Sequence, residues 1–119
     1  MNSTTEIAQV AYEANRAYCQ SLGDYNQANW NFCDQWQRDT VINGVRAIER
    51  GVVTGPEQSH ENWLEHKENE GWQWGIKKNT DRKRGALTHP CMVPFKELPE
   101  TQKMKDRLFF AIVTTLLGR

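Results

Sequence analysis

The sequence predicts a mainly α-helical single domain that contains one short β segment, an α+β arrangement of four helices. A chain of 119 residues is long enough to bury a hydrophobic core as one domain. Apolar residues recur at helical spacing in four stretches, and a glycine follows each stretch. Between the third and fourth stretches the pattern changes to the alternation that is typical of a strand. These three observations predict the fold.

The first predicted helix begins at Ser3 or Thr4, because their hydroxyl groups can accept hydrogen bonds from the free N–H groups of a helix start. It ends at Gly23, a residue typical of helix C-termini. A polar loop follows, and Trp30 is its apolar anchor. The expected buried face of the helix consists of Ile7, Val10, Ala11, Ala14 and Tyr18.

The second helix is predicted from about Phe32 to Arg50. A glycine inside it, Gly44, lowers the local helix propensity by about 1 kcal/mol relative to alanine. Together the first two helices form a lead-in over residues 4–51. The expected buried side of the second helix consists of Trp36, Val41, Val45 and Ile48.

The third helix is predicted over Glu57–Glu70. Pro56 precedes it in the first turn, where the missing N–H of proline costs nothing, and the next glycine ends it. After that glycine, Trp72, Trp74 and Ile76 alternate with polar or small residues, which predicts a short strand.

A charged loop is predicted from Lys78 to Gly85. An extended segment follows from Thr88 to Phe95, because its two prolines exclude a helix. The fourth helix is predicted from near Leu98 to Gly118. Its expected buried face consists of Met104, Leu108, Ala111, Ile112 and Thr115.

Composition argues against several classes of function. The net charge is zero at pH 7, so no general basic field attracts nucleic acid, and we expect no nucleic-acid partner. The three cysteines are widely spaced and odd in number, which argues for a reducing compartment and against a disulfide framework. The N-terminus lacks the pattern of a signal peptide, and the longest apolar run, around 108–117, is shorter than a membrane span. A cytoplasmic protein without a membrane partner is therefore expected.

Three residues of the third helix form the first candidate site. His60, Trp63 and Lys67 follow the spacing i, i+3, i+7 and therefore share one helix face. An imidazole, an indole and an ammonium on one face can hold a planar ring beside an anionic group, and stacking of a base contributes about 1–3 kcal/mol. In the alternative interpretation, Trp63 belongs to the core and the Lys67 side chain only packs along it.

The segment after the third helix supplies the other candidates. Trp72 and Trp74 are predicted on one strand face, one as part of the core and the other at the rim of a cleft. The basic run that follows contains Lys77, Lys78 and Arg82, which are suited to phosphate contacts. In the alternative interpretation, this run is a solvated loop.

Catalytic and metal-binding templates fit the sequence poorly. HENWLEH resembles the zinc motif HExxH, but Leu64 occupies the position of the second histidine, and His66 lies on another side of the helix from His60. Cys91 follows two residues after His89 without an evident third group to orient them. The chain contains no GxSxG, Walker or GxGxxG motif. We therefore expect no enzymatic activity, no cofactor and no metal.

A series of short motifs resembles the repeat domain of ryanodine receptors, the RyR domain. The series reads HENW, GWQWG, HPCMVPFKEL and LPETQKMKDRL, and it covers about residues 57–117. The lead-in resembles that of small free-standing RyR-domain proteins of bacteria and their phages. One departure is a longer, more basic loop, IKKNTDRKRGALTHP, which favours an anionic ligand. The matching positions are His60, Trp63, Gly71, Trp72, Gly75, His89, Pro90 and Leu98-Pro99.

The resemblance implies two copies packed about a twofold axis and a tryptophan-lined cleft for adenine-nucleotide-like ligands. On this basis we expect a homodimer that binds an adenine-nucleotide-derived molecule, such as an ADP-ribose or cyclic-nucleotide signal. In a phage setting, such a protein would sequester a host immune signal in the host cytoplasm as a counter-defence protein. The expected ligand-binding residues are His60, Trp63, Lys67, Trp72, Trp74, Lys77, Lys78, Arg82 and His89.

Two other functions remain open at this point. One is docking on a host or virion protein, with Tyr25, Trp30 and Trp36 as aromatic anchors. The other is an enzyme that acts on the same class of nucleotide.

Overall fold

The computed structural model describes residues 2–119, which form four α-helices and one pair of short parallel strands. The prediction of a mainly helical fold with a short β segment is confirmed. The elements are α1 (Thr4–Ser21), α2 (Gln35–Glu49), α3 (Pro56–Asn69), β1 (Gln73–Trp74), β2 (Thr88–His89) and α4 (Glu100–Leu116), with 3-10 turns at Arg82–Arg84 and Phe95–Glu97.

Local sequence signals explain where the helices begin and end. The Ser3 hydroxyl accepts a hydrogen bond from the Glu6 N–H at 3.1 Å, and the Glu6 carboxylate accepts one from the Ser3 N–H at 3.0 Å. This reciprocal pair satisfies two free donors at the start of α1. Gly23 follows the end of α1 with a φ of 87°, in the left-handed region that favours glycine.

The larger hydrophobic cluster, which we call the helical core, is enclosed by α1, α2 and α4. Trp30 belongs to it and meets the ring of Tyr12 edge to face, with ring centroids 5.6 Å apart. The loop between α1 and α2 is therefore anchored by Trp30, as predicted. The buried residues of the helical core are Ile7, Ala8, Ala11, Tyr12, Trp30, Cys33, Val45, Ile48, Val53 and Val113.

The buried faces of α1 and α2 differ in part from the prediction. Val10 is exposed, whereas Ala8 and Tyr12 are buried, so the apolar face of α1 is rotated away from Val10. Trp36 lies in the first turn of α2, and part of its side chain is exposed. Its neighbours are another tryptophan and a lysine of α3 rather than the helical core.

The predicted buried face of α4 is wrong in part, because Ile112 packs against the helical core as predicted but Ala111 is exposed. Met104 and Thr115 are exposed, whereas Val113 is fully buried and Phe109 packs against the helical core. After Arg107 this helix carries apolar residues on several sides, so more than one face fits the same spacing. Packing against α1 selects the face.

A second, smaller hydrophobic cluster lies under the strand pair, and we call it the tryptophan cluster. Its members are Trp63, Leu64, Trp72, Leu87 and Met92.

The strands beside the tryptophan cluster approach each other closely. Gln73 pairs with Thr88 and Trp74 with His89. A Cβ on Gly75 would stand only 2.5 Å from the Cβ of Thr88, so this approach requires glycine.

No helix within residues 2–119 has both the length and the apolar character needed to cross a membrane. Cys19, Cys33 and Cys91 are free thiols, and the first two are buried.

Candidate functional site

A cleft lies between the helical core and the tryptophan cluster, and its three lobes meet at Trp63. We call them the inner, lysine and outer lobes, with volumes of about 260, 210 and 800 Å³ respectively. Trp63 and Gln27 line all three lobes. Small-molecule sites are typically concave spaces of about 300–1,000 Å³, so the outer lobe alone already has the size of a ligand site.

The inner lobe lies where α2, α3 and α4 converge. Val41, Trp63 and Phe109 give it apolar walls. Gly44 also lines it, and a Cβ at this position would stand 3.1 Å from Cζ of Phe109, tighter than ordinary van der Waals contact. The glycine that weakens α2 therefore leaves room for Phe109 at the wall of the inner lobe.

The lysine lobe borders both other lobes, since it shares Lys67 with the inner lobe and Lys78 with the outer lobe. Lys67 and Lys78 line it together with Trp63 and Trp72. No Asp or Glu is among the described residues that line it, so its charged groups are positive. Its remaining lining residues are Tyr12, Asn15, Gln27, Trp36, Gln37, Thr40, Val41, His89 and Phe109.

The outer lobe is a wide basin between the α1–α2 loop, β2 and the start of α4. Its lining is the most polar of the three, with carboxyl groups from Asp24, Asp34 and Asp106. Amide side chains contribute as well: Asn26, Gln27, Gln37 and Gln102.

Lys67 is buried, and its ammonium group lies between two aromatic rings. The Nζ atom is 5.1 Å from the ring centroid of Trp36 and 5.4 Å from that of Trp72. It also donates hydrogen bonds to the Thr40 hydroxyl at 3.0 Å and to the Glu70 carboxylate at 3.3 Å. Cation–π contacts and these hydrogen bonds offset the cost of burying the charge. Lys67 thus places a fixed positive charge in the wall of the cleft.

His60 is also buried, and its ring supports Trp63. Its Nε2 atom lies 2.7 Å from the carbonyl oxygen of Val93, so Nε2 carries a proton and donates. The Nδ1 atom faces a carboxylate oxygen of Asp106 at 3.8 Å. The imidazole stacks on the indole of Trp63, with centroids 5.4 Å apart. His60 therefore orients Trp63 at the junction of the lobes.

His89 stays neutral at physiological pH. Burial, and after it the positive charges of Lys78, Lys105 and Lys67, lower its pKa from 6.5 to about 4. Its Nδ1 atom accepts a hydrogen bond from the Cys91 N–H at 2.9 Å, so the neutral ring carries its proton on Nε2. Burial is the largest cause of this shift, and the three lysines contribute a positive potential in the same direction.

Two other groups of the cleft have shifted pKa values. Burial raises the pKa of Asp106 to about 7, and the nearby Lys105 opposes this shift. Partial desolvation lowers the pKa of the Lys78 ammonium, and the charge of Lys67 adds to the effect. Asp106 therefore changes its protonation state near neutral pH.

The fold brings six of the nine predicted site residues to the cleft. Three of them, Trp63, Lys78 and His89, line both the lysine and outer lobes. The others are His60 in the outer lobe, Lys67 in the inner and lysine lobes, and Trp72 in the lysine lobe.

The remaining three, Trp74, Lys77 and Arg82, line none of the lobes within residues 2–119. Trp74 is 57% exposed, whereas Trp72 is buried, so the prediction that they share a face is wrong. The strand begins only at Gln73, and strand alternation therefore does not extend to Trp72. Arg82 donates to the carbonyl oxygen of Glu70 at 2.8 Å, at the end of α3.

Several lining residues were missed because they come from distant parts of the sequence. They are Gln27 in the α1–α2 loop, Thr40 on α2, and Lys105, Asp106 and Phe109 on α4. For these missed residues the sequence carried one signal, the adjacent charges Lys105 and Asp106 next to an apolar helix segment. Among residues 2–119, no group of three or more His, Cys, Asp or Glu side chains is arranged to hold a metal ion.

Comparison with known proteins assigns the family. A family model described as the RyR domain matches residues 31–117. A search of curated proteins found no match. Because the family model covers more than half of the chain, the protein belongs to the RyR-domain family. The match includes α2, which precedes the segment where the motif resemblance begins.

Proposed function

We propose that this RyR-domain protein binds an anionic small molecule with an aromatic base in the cleft around Trp63. The class of ligand that fits best is an adenine-nucleotide-derived molecule, such as an ADP-ribose or cyclic-nucleotide signal. One observation carries the proposal: Lys67 and Lys78 line the same lobe of the cleft as the indole of Trp63. Converging cations favour phosphate, and an indole face favours a base.

Each group has a role that follows from its geometry. Trp63 offers an indole for stacking, and His60 holds that indole in place. Lys78 supplies a point charge for phosphate oxygens, and Lys105 adds positive charge from the lining of the inner and outer lobes. His89 offers a neutral N–H donor from Nε2, directed by the hydrogen bond at Nδ1. Lys67 adds positive potential from within the wall.

The proposed activity is binding without conversion of the ligand. A Cys–His pair needs a reactive thiolate, but burial raises the pKa of the Cys91 thiol, which keeps it protonated. His89 uses Nδ1 to accept a backbone hydrogen bond, so that atom is not available as a base. Ligand recovered chemically intact after incubation and denaturation is the expected result, and a converted product would contradict it.

The proposed biological role is to sequester a nucleotide signal in the cytoplasm, as a phage counter-defence protein in a host cell. The resemblance to free-standing RyR-domain proteins supports this role, and the paired repeats of the family support a homodimer with twofold symmetry. Sedimentation equilibrium tests the dimer: a single species with the 13.8 kDa mass of the monomer would exclude it.

The first experiment is mass spectrometry of molecules that co-purify with the protein, followed by calorimetric titration with AMP, ADP, ADP-ribose and cyclic AMP. At least one of these is expected to bind. The variant Lys78→Gln removes a cleft charge and is expected to weaken binding about tenfold, the loss typical of one charge-assisted contact.

The neighbouring lysine provides a matched control. Lys77 is exposed and lies outside the cleft lobes, so Lys77→Gln makes the same change in net charge and is expected to retain the wild-type affinity. Equal losses in both variants would indicate attraction by overall charge rather than a site. Absence of binding to all four nucleotides would overturn the proposal.

Docking on another protein is a second candidate, and of its three expected anchors Tyr25 is well exposed, Trp36 is partly exposed and Trp30 is buried. Trp30 is buried in the helical core and therefore unavailable to a partner. Tyr25 and Phe32, in contrast, are 71% and 81% exposed on the α1–α2 loop. A partner that is retained by Trp63→Phe but lost by a Tyr25→Ser/Phe32→Ser double variant would favour docking over ligand binding.

A further inference from the structure

We propose that the ligand has three chemically distinct parts, a base, phosphates and a further sugar beyond the phosphates, held in the inner, lysine and outer lobes respectively. This inference rests on the proposed function and narrows its ligand class. It favours an extended sugar nucleotide of the ADP-ribose type over a mononucleotide or a cyclic nucleotide.

The inner lobe suits the base. Its walls combine Trp63 and Phe109 with the aliphatic Val41, and the lobe is the most enclosed part of the cleft. Asn62 and Thr40 add neutral hydrogen-bonding groups. The charged lining residues balance in sign, with Lys67 and Lys105 against Glu70 and Asp106. A mostly apolar pocket with a few polar groups is the usual environment of a bound heterocycle.

The lysine lobe suits the phosphates. Positive charge comes from Lys67 and Lys78, and the Glu70 carboxylate that pairs with Lys67 does not itself line this lobe. Donors at its wall include the Nε2–H of neutral His89. Because this lobe borders both other lobes, a pyrophosphate held in it can place a base in one of them and a sugar in the other.

The outer lobe suits a sugar and not another phosphate. Lys78 and Lys105 line this lobe, but the carboxyl groups of Asp24, Asp34 and Asp106 outnumber them and disfavour an anion. Carboxylates also accept hydrogen bonds from hydroxyl groups. The amides of Asn26 and Gln102 can both accept and donate. With a volume of about 800 Å³, this lobe is larger than the other two combined, so a mononucleotide would leave most of the cleft unfilled.

Gln102 allows a selective test. It lines the outer lobe alone, and its position in the first turn of α4 is held by backbone hydrogen bonds that do not use the side chain. The variant Gln102→Leu keeps the size of the side chain and removes its hydrogen-bonding groups. Gln9→Leu, at an exposed position of α1 away from the cleft, is the matched control.

The experiment is calorimetric titration of the wild type, Gln102→Leu and Gln9→Leu with AMP, ADP, ADP-ribose and cyclic ADP-ribose. In the wild type, ADP-ribose is expected to bind at least tenfold more tightly than ADP. Cyclic ADP-ribose is expected to bind more weakly than the linear form, because ring closure prevents its parts from reaching separate lobes. Gln102→Leu is expected to weaken the binding of ADP-ribose about five- to tenfold, the cost of one lost hydrogen bond, and to leave the affinity for ADP unchanged.

Other outcomes separate this inference from the proposed function. Equal affinity for ADP and ADP-ribose would show that the terminal sugar is not recognised, and the inference would fail while nucleotide binding stands. The inference also fails if Gln102→Leu weakens the binding of ADP as much as that of ADP-ribose, or if cyclic ADP-ribose binds most tightly of the four nucleotides. If no nucleotide binds at all, the inference and the proposed function fail together.

Discussion

The helical core and the tryptophan cluster differ in what they bury beside apolar side chains. The helical core packs aliphatic and aromatic residues from three helices, and its interior positions carry no charge. Around the tryptophan cluster, the fold buries the imidazole of His60 and the ammonium of Lys67, and it places Asp106 and His89 where their pKa values are strongly shifted.

This difference separates stability from function. Burying ionisable groups costs free energy, and a fold that needed only stability would fill such positions with apolar residues. Perturbed ionisable groups in a cleft are therefore candidates for a functional site, although ion networks with a structural role also perturb pKa values. The comparison predicts that changes in the helical core alter folding, whereas changes at the tryptophan cluster alter binding.

The largest effect is expected in the helical core. Ile48→Ala removes buried methyl and methylene groups and should lower the free energy of unfolding by about 2–5 kcal/mol. Urea denaturation measures the loss, and titration of the folded variant at low temperature should return the wild-type ligand affinity. Val52→Ala, at an exposed position just after α2, should change stability by less than about 0.5 kcal/mol. A weakened affinity in folded Ile48→Ala would show that the two regions are coupled.

Gly75→Ala should produce the next largest effect, beside the tryptophan cluster. The added Cβ would overlap Thr88, so β1 and β2 must separate, at a cost of about 1–3 kcal/mol in unfolding free energy. Because His89 follows Thr88, the shift should also weaken ligand binding at the lysine lobe. Gly55→Ala is the control, since a Cβ there has no neighbour within 4 Å. Unchanged affinity in Gly75→Ala would show that the strand pair does not contribute to the binding site.

The pH dependence of stability should reveal two opposed groups in the cleft. Asp106 has a folded pKa of about 7, above its usual value of 3.8, so its contribution to stability decreases as pH rises from about 4 to 7. His89 has a folded pKa of about 4, below its usual 6.5, so its contribution increases as pH rises from about 4 to 6.5. Each group should change the free energy of unfolding by on the order of 1–2 kcal/mol over its pH range, once solvent screening is allowed for.

Single variants separate these trends in thermal unfolding between pH 4 and 7.5. Relative to the wild type, Asp106→Asn should gain stability as pH rises, because it lacks the decreasing contribution. His89→Asn should lose relative stability over the same range, and its amide oxygen can still accept the Cys91 N–H hydrogen bond. Parallel profiles for both variants and the wild type would contradict the two pKa shifts.

Sequence reasoning predicted the helical core more completely than the cleft. Helical spacing and capping residues depend on neighbours within one or two turns, so they identified four helices and the anchor Trp30. Where a helix is apolar on several sides, as α4 is, spacing alone could not select the face. That choice depends on packing against α1, which is not encoded locally.

The cleft depends on contacts between residues far apart in the chain. The sequence identified the residues of α3 because they are unusual and lie on one face. It did not place Lys67 between Trp36 and Trp72, since that arrangement requires α2 and the segment before β1 to meet. It also could not distinguish Lys78 from Lys77, because adjacent basic residues look alike until the loop is folded.

The smallest effect is expected for Trp74, the residue for which the sequence and the structure differ most. Its ring is largely exposed and lines no lobe among the described residues, so Trp74→Ala should change the free energy of unfolding by less than about 0.5 kcal/mol and leave affinity unchanged. Trp72→Ala is the counterpart, because it removes a buried ring that contacts the Lys67 ammonium, and it should reduce both stability and binding. Chemical denaturation and nucleotide titration of the two variants test this contrast. A loss of affinity in Trp74→Ala would show that the binding site extends onto the exposed face of β1.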